Sequence, residues 1–213
     1  MSETTTWLEA LAEALGAISL LEGAAVAFGL AYLVLAIRQN MLCWAAALVS
    51  VLLSLVLFYE ARLYSESALQ VFYAAMAFYG WYQWRYGGRR VGAETDELPV
   101  GVWPLRMHVL AIGGTLAVSV LLGYVMDVRT DAAMPYLDAF TTVAAIVTTY
   151  MVAKKLLENW VYWFVIDGLS VYMYIARELY LYAALFVFYL VLVVIGFFRW
   201  RRDLRAQVPA AAQ

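Results

Sequence analysis

The sequence predicts an all-α membrane protein with seven transmembrane helices, arranged as three, one and three, with the two sets of three lying the same way up. Three observations carry this reading: an apolar composition, seven long apolar runs, and an internal repeat at a single offset. Of 213 residues, 66% are hydrophobic and 14% charged. Soluble domains run at roughly 45–50% apolar and about 25% charged. A soluble chain of this length cannot hide the excess, whereas lipid tails, as apolar as leucine, accept it. The net charge of −2 argues against nucleic acid as a partner. The single cysteine, Cys43, excludes a disulfide framework and a cysteine metal site, and is expected as a small buried apolar residue.

A spanning helix needs about 20 mostly apolar residues. Such runs lie at 18–37, 41–59, 66–84, 107–126, 136–152, 159–176 and 181–198. The breaks fall at Arg38-Gln39-Asn40, Glu60 to Arg62, a longer polar loop over 87–105, Asp127 to Ala133, Lys154-Lys155 and Arg177-Glu178. Pro99, Pro104, Pro135 and Pro209 all fall in loops or tails, so no helix is expected to kink at proline. Gly87-Gly88 ahead of Arg89-Arg90 reads as a flexible turn. Residues 1–17 carry Glu3, Glu9 and Glu13 but no Lys or Arg, so no cleaved signal peptide is expected. Trp7, Leu8, Leu11 and Leu15 there suit either a short interfacial helix or an unstructured tail.

Orientation follows from the bias of Lys and Arg. With seven spans, one face holds Arg62, Arg129 and Arg177. The other holds Arg38, Arg85, Arg89, Arg90, Arg106, Lys154, Lys155, Arg199, Arg201, Arg202 and Arg205, a split of three against eleven. The second face is expected to be cytoplasmic, with the N-terminus outside and the C-terminus inside. One span more or fewer would scramble the asymmetry.

A shift of 116 positions lays the first three spans on the last three without a gap. Leu63-Tyr64 then matches Leu179-Tyr180, Ala68-Leu69 matches Ala184-Leu185, and Val71-Phe72-Tyr73 matches Val187-Phe188-Tyr189. Gly80 falls on Gly196, Trp84 on Trp200, and Arg85 on Arg201. More sparsely, Trp44 falls on Trp160, Ser54 on Ser170, Glu22 on Asp138, and Arg38 on Lys154. The expected units are a tail at 1–17, a first triple-helix repeat at 18–86, a loop and linker helix at 87–133, a second repeat at 134–200, and a basic tail at 201–213. An odd linker span sets both repeats the same way up. Parallel repeats mark transporters whose substrate site lies near the midplane between the halves; a repeat that is only a packing unit is the plainer alternative.

Charge inside a span costs about 2.5–3.5 kcal/mol and points to function. Asp167 stands near the middle of the sixth span. Trp160, Trp163, Asp167, Ser170 and Tyr174 recur at steps of three and four, which puts them on one helix face. Indole faces attract a desolvated cation by about 2 kcal/mol, and a carboxylate adds charge compensation, so this face suits a flat, cationic aromatic ring. An interfacial aromatic belt accounts for Trp160, less well for Trp163, and not for Asp167; helix–helix hydrogen bonding is the other structural reading. The second span offers Asn40, Trp44, Ala47, Val51 and Ser54 at the same period, and the third offers Gln70, Tyr73, Ala77, Trp81 and Trp84. Gln70 needs a partner in a helix or a ligand. Glu22 and Asp138, repeat-related and near span ends, suit a gate, helix packing or simple snorkelling. His108, the sole histidine, is expected to be interfacial. With no Ser–His pair, no His/Cys cluster and no phosphate-cradling glycine loop, neither an enzyme nor a cofactor is expected. A retinal receptor would need a lysine in the last span, and the only lysines are Lys154 and Lys155.

Several motifs resemble one family. Ala68-Leu69-Gln70-Val71-Phe72-Tyr73 followed by Tyr79-Gly80-Trp81-Tyr82-Gln83-Trp84 is similar to the third span of the Pnu vitamin transporters. So are Glu158-Asn159-Trp160-Val161-Tyr162-Trp163 with Asp167, the Leu179-Tyr180-Leu181 opening, Gln39-Asn40-Met41-Leu42-Cys43-Trp44, and Asp138-Ala139-Phe140-Thr141-Thr142. The resemblance covers about residues 18–202. It implies a SWEET-like fold, a homotrimer with a pathway in each protomer, and uptake of nicotinamide riboside (vitamin B3, feeding NAD biosynthesis) or thiamine across the bacterial inner membrane. Transport in the family is facilitated diffusion made one-way by cytosolic phosphorylation; proton coupling through Asp167 or Glu22 is the alternative. By that analogy Trp160, Trp163, Asp167 and Tyr174 bind substrate, with Trp44, Asn40, Gln70 and Tyr73 from the first half. Two departures stand out. Ala45-Ala46-Ala47 follow Trp44 where the family often has Pro and Gly, and Asp167 stands where some riboside transporters carry Asn.

Overall fold

In the computed structural model of the protein, residues 19–62, 64–88 and 96–207 are described. They form seven helices: α1 Leu20–Ile37, α2 Leu42–Glu60, α3 Tyr64–Tyr86, α4 Leu105–Arg129, α5 Pro135–Ala153, α6 Asn159–Ala176 and α7 Tyr180–Gln207. The expected N-terminal interfacial segment and the last residues of the basic tail lie outside the described residues. By length and composition α1, α2, α4, α5 and α7 can cross a membrane. The other two, α3 and α6, are 23 and 18 residues long but carry the polar and aromatic groups, among them Gln83, Asn159 and Asp167, that the bundle buries.

Local chemistry sets the ends of these helices. Ser19 and Glu22 form a reciprocal cap: the Glu22 N–H donates to Ser19 Oγ at 3.2 Å and the Ser19 N–H donates to Glu22 Oε2 at 2.7 Å. Pro135 opens α5 rather than lying in a loop, where its missing N–H costs nothing. Both α1 and α5 stop in the same way. The N–H of Gln39 donates to the Ala36 carbonyl and that of Asn40 to Leu35; the N–H of Lys155 donates to Val152 and that of Leu156 to Met151. This double bond pattern needs a left-handed residue after the helix. Gln39 at φ 54° and Lys155 at φ 55° supply it, as Arg62 and Glu178, both at φ 60°, do after α2 and α6. Each pair is separated by the same 116 positions as the sequence repeat.

Neighbouring helices pack as α1 on α2, α2 on α3, α5 on α6 and α6 on α7, while α3 meets α5 and α7 meets α1. The helix between them, α4, lies against α5 along a face of small residues. Thr115, Ser119 and Gly123 are buried there, and a Cβ on Gly123 would come within 2.6 Å of the Tyr136 ring. Close backbone approach through small residues is how helices associate where lipid offers no hydrophobic drive.

The basic end, where α1, α3, α5 and α7 carry their Arg and Lys, is closed by four indoles. Trp44 meets Trp84 edge-on at 5.4 Å, Trp84 meets Trp200 at 5.9 Å, and Trp200 meets Trp160 at 5.3 Å. Trp84 Nε1 donates to the Val152 carbonyl and Trp200 Nε1 to the Ala36 carbonyl, both at 3.0 Å. These bonds are also related by the 116-residue shift. They tie α3 to α5 and α7 to α1. Gln39 Nε2 adds a 2.7 Å bond to Asp203 Oδ2 on α7, and Lys155 lies 4.9 Å over the Trp84 ring. Burial holds the Lys155 ammonium below the usual lysine range, partly opposed by Glu97.

Two sequence expectations change. The 87–105 segment is not simply a polar loop. Leu98 and Val100 are buried, the Leu98 N–H donates to the Trp84 carbonyl, and Gly101 exchanges bonds with Lys155 and Leu157 across the α5–α6 turn. Gly87 is accordingly a close-packed position, because a Cβ there would sit 2.4 Å from the Gln83 carbonyl oxygen; Arg89 and Arg90 lie outside the described residues. The last helix does not end at 198 but runs on through the arginines to Gln207, since charge ends a span without ending a helix.

A Cβ on Gly80 would lie 2.2 Å from the Trp44 ring, and one on Gly196 would lie 2.6 Å from the Trp160 ring. Gly80→Ala is therefore expected to destabilise the detergent-solubilised protein by about 1–3 kcal/mol. Pairing it with Trp44→Phe should recover most of that loss in a double-mutant thermal melt; strictly additive effects would count against the contact. Trp84→Phe and Trp200→Phe should each lower the melting temperature, by a similar amount worth about 1–3 kcal/mol, because they remove equivalent bonds.

Candidate functional site

Between the first three helices and the last three lie two adjoining cavities. One, of about 270 Å³, is bounded by Gly29, Tyr32, Leu33 and Ala36 of α1, Asn159, Trp160, Trp163 and Asp167 of α6, and Phe186, Tyr189 and Val193 of α7. The second, also about 270 Å³, is bounded by Trp44, Ala47, Ser50 and Val51 of α2, Tyr73, Met76 and Ala77 of α3, and Thr149 of α5. Gly29, Tyr32 and Trp163 line both. The 116-residue shift carries much of the second lining onto the first: Trp44 onto Trp160, Tyr73 onto Tyr189, Ala77 onto Val193. It also carries Ala47 onto Trp163 and Val51 onto Asp167. The two cavities thus share a plan, with Trp163 lining both, but only the first holds a carboxylate.

Asp167 is 5% exposed and makes no hydrogen bond or ion pair with a described residue. Unpaired buried charge is expensive, so its place in an aromatic wall calls for a partner beyond the described residues. Asn159 donates through Nδ2 to the Leu156 carbonyl, and its Oδ1, like Trp44 Nε1 and Trp160 Nε1, is buried without a partner among the described residues. Among the described residues no group of three His, Cys, Asp or Glu side chains could hold a metal.

The sequence-derived candidates divide on placement. Trp160, Trp163 and Asp167 meet in the first cavity, and Trp44 and Tyr73 line the second. Asn40 does not reach either: it is exposed in the α1–α2 turn, where its Oδ1 accepts the Leu42 N–H at 2.9 Å. Tyr174 stacks on Tyr182 at 5.5 Å and meets Phe186 at 5.1 Å, outside both linings. Gln70 is half-buried on α3 and lines neither. Ser170 donates to the Ile166 carbonyl at 2.9 Å within its own helix. Glu22 is committed to the α1 cap, whereas Asp138 accepts from Arg177 Nη2 at 2.7 Å and so joins α5 to the end of α6. His108 pairs through Nδ1 with Tyr162 Oη at 2.9 Å and sits 3.5 Å from Glu158. Sequence reasoning passed over Tyr32, Ser50, Thr149 and Tyr189. Of these only Tyr189 carried a signal, through its match to Tyr73.

A third hollow, among Ile112, Phe140, Ala144, Val161 and Val165 between α4, α5 and α6, is lined by apolar side chains apart from Thr115 and Tyr162. No charged side chain is among these lining residues.

Comparison with known proteins fits this geometry. The riboflavin/roseoflavin transporter RibM of Streptomyces davaonensis is 29% identical, covering 86% of this chain and 87% of that protein. The nicotinamide riboside transporter PnuC of Escherichia coli is 27% identical over 76% of this chain and 77% of that one. The crystal structure of the vitamin B3 transporter PnuC superposes with a TM-score of 0.70 at 22% identity, covering 93% of this chain and 88% of that chain, so the helical fold is the same. The family described as nicotinamide mononucleotide transporter matches residues 19–202. The chain is a multi-pass membrane transporter, not an enzyme, and belongs to this PnuC family.

Proposed function

We propose that the protein takes up nicotinamide riboside, with Trp160, Trp163 and Asp167 holding the pyridinium ring. The carrying observation is Asp167, a buried carboxylate without a partner among the described residues, beside two indoles. A permanently cationic ring supplies the missing charge and stacks on an indole face, an attraction of about 2 kcal/mol when desolvated. Thiamine, also a cation, satisfies the same chemistry. Riboflavin is the second reading, favoured by the 29% identity and even coverage with RibM; its neutral ring makes no use of the Asp167 charge. In this reading the chain works as two parallel triple-helix halves joined by α4, with the basic end in the cytoplasm and the N-terminus outside. It assembles as a homotrimer in the bacterial inner membrane and equilibrates its vitamin by facilitated diffusion, trapped by phosphorylation.

Titration of the purified protein with nicotinamide riboside, thiamine and riboflavin, followed by tryptophan fluorescence, tests the substrate. Saturable binding of the riboside in preference to the others is expected; binding of riboflavin alone would replace the cationic reading. Asp167→Asn should weaken binding of the riboside about tenfold, the equivalent of about 1.4 kcal/mol, with little change in melting temperature. Equal affinity in the two purified forms would remove Asp167 from the binding role.

A further inference from the structure

The two cavities differ in chemistry, and the difference specifies what the second one holds. Each measures about 270 Å³, just under the roughly 300–1,000 Å³ of ordinary small-molecule sites. They share Gly29, Tyr32 and Trp163 in their linings, so they lie side by side and together offer a volume in that range. The end at Asp167 takes a ring. At the end near Trp44, position 47 is Ala where its counterpart in the repeat is Trp163.

That end contains four hydroxyls, the phenols of Tyr32 and Tyr73 and the aliphatic hydroxyls of Ser50 and Thr149. Ser50 Oγ donates to the Ala25 carbonyl at 2.8 Å, across the close approach of α1 and α2 at Gly29. Thr149 Oγ1 donates to the Ala145 carbonyl at 2.8 Å. A hydroxyl has one proton and two lone pairs. With both protons committed to backbone, Ser50 and Thr149 offer acceptors only. No charged group lines this end. With the Trp44 indole N–H, buried without a partner among the described residues, and the Tyr32 and Tyr73 phenols beside these acceptors, it matches an uncharged group that both donates and accepts hydrogen bonds.

We infer that the Trp44 cavity receives the hydroxylated arm of the substrate, a ribosyl or ribityl group, and that Ala47, Ser50 and Thr149 set specificity for it. This rests on the vitamin-transport reading above and narrows it to vitamins that carry a polyol. A ring with no arm leaves the cavity empty, and an arm ending in a charge finds no counter-charge there.

The test compares ligands that share a ring and differ in the arm. Nicotinamide riboside is set against 1-methylnicotinamide, and riboflavin against lumiflavin, by titration of the full-length purified protein and of three variants: Ser50→Ala with Thr149→Val, Ala47→Leu, and Ser50→Ala alone. The wild type is expected to bind the member with the arm at least tenfold more tightly. The double variant should erase most of that preference, and Ala47→Leu should abolish binding of the armed ligand. Both should leave the ring-only ligand unchanged, which also shows that the variants are folded. If an armed vitamin binds but its ring-only analogue binds equally well, or if the variants weaken both alike, the arm site is wrong while the transport reading stands. If neither pair binds to the wild type, both fall.

Discussion

Two indole-to-carbonyl bonds at the basic end hold the bundle in register. Trp84 reaches from α3 to the end of α5 and Trp200 from α7 to the end of α1, each at 3.0 Å. A buried indole N–H usually finds an acceptor, and these two find it on the opposite set of helices. The rings then stand edge-on to Trp44 and Trp160, which forces glycine at 80 and 196, where no Cβ fits. Of these four rings, Trp160 lines one cavity and Trp44 the other.

Beyond these rings the two sets of three helices diverge. Equivalent positions hold Trp163 and Asp167 on one side and Ala47 and Val51 on the other. A carboxylate on both sides would place two like charges in the same low-dielectric space, which is costly. An indole on both sides would fill the room a ligand needs. The chain keeps its carboxylate at one end only, so a related backbone plan yields two chemically different linings.

Much of the fold was legible because its signals are additive along the chain. Apolar runs located seven helices to within a few residues, and the shift of 116 positions paired Trp84 with Trp200 and Gly80 with Gly196 before any contact was known. Other features depend on tertiary approach. Hydropathy cannot show that Leu98 bonds to Trp84 and Gly101 to the α5–α6 turn, nor that α7 continues past its arginines until Asp203 reaches Gln39. Helical periodicity put Asn40 on a face with Trp44, but the helix starts two residues later, and Asn40 spends its side chain on the turn. Periodicity put Tyr174 with Asp167, but aromatic neighbours on α7 claim that ring. Ser50 and Thr149 went unnoticed because a hydroxyl in an apolar helix is usually only bonded back to its own backbone, as Thr149 is.

The carbonyls that accept the two indoles have a second attachment. Ala36 also accepts the Gln39 N–H, and Val152 also accepts the Lys155 N–H, as part of the turns that end α1 and α5. When an indole lets go, each oxygen keeps its cap partner, and water reaches only the lone pair that is freed. Substituting either tryptophan therefore removes one bond to its acceptor oxygen and leaves the helix cap in place, so the seam and the helix ends are separable features.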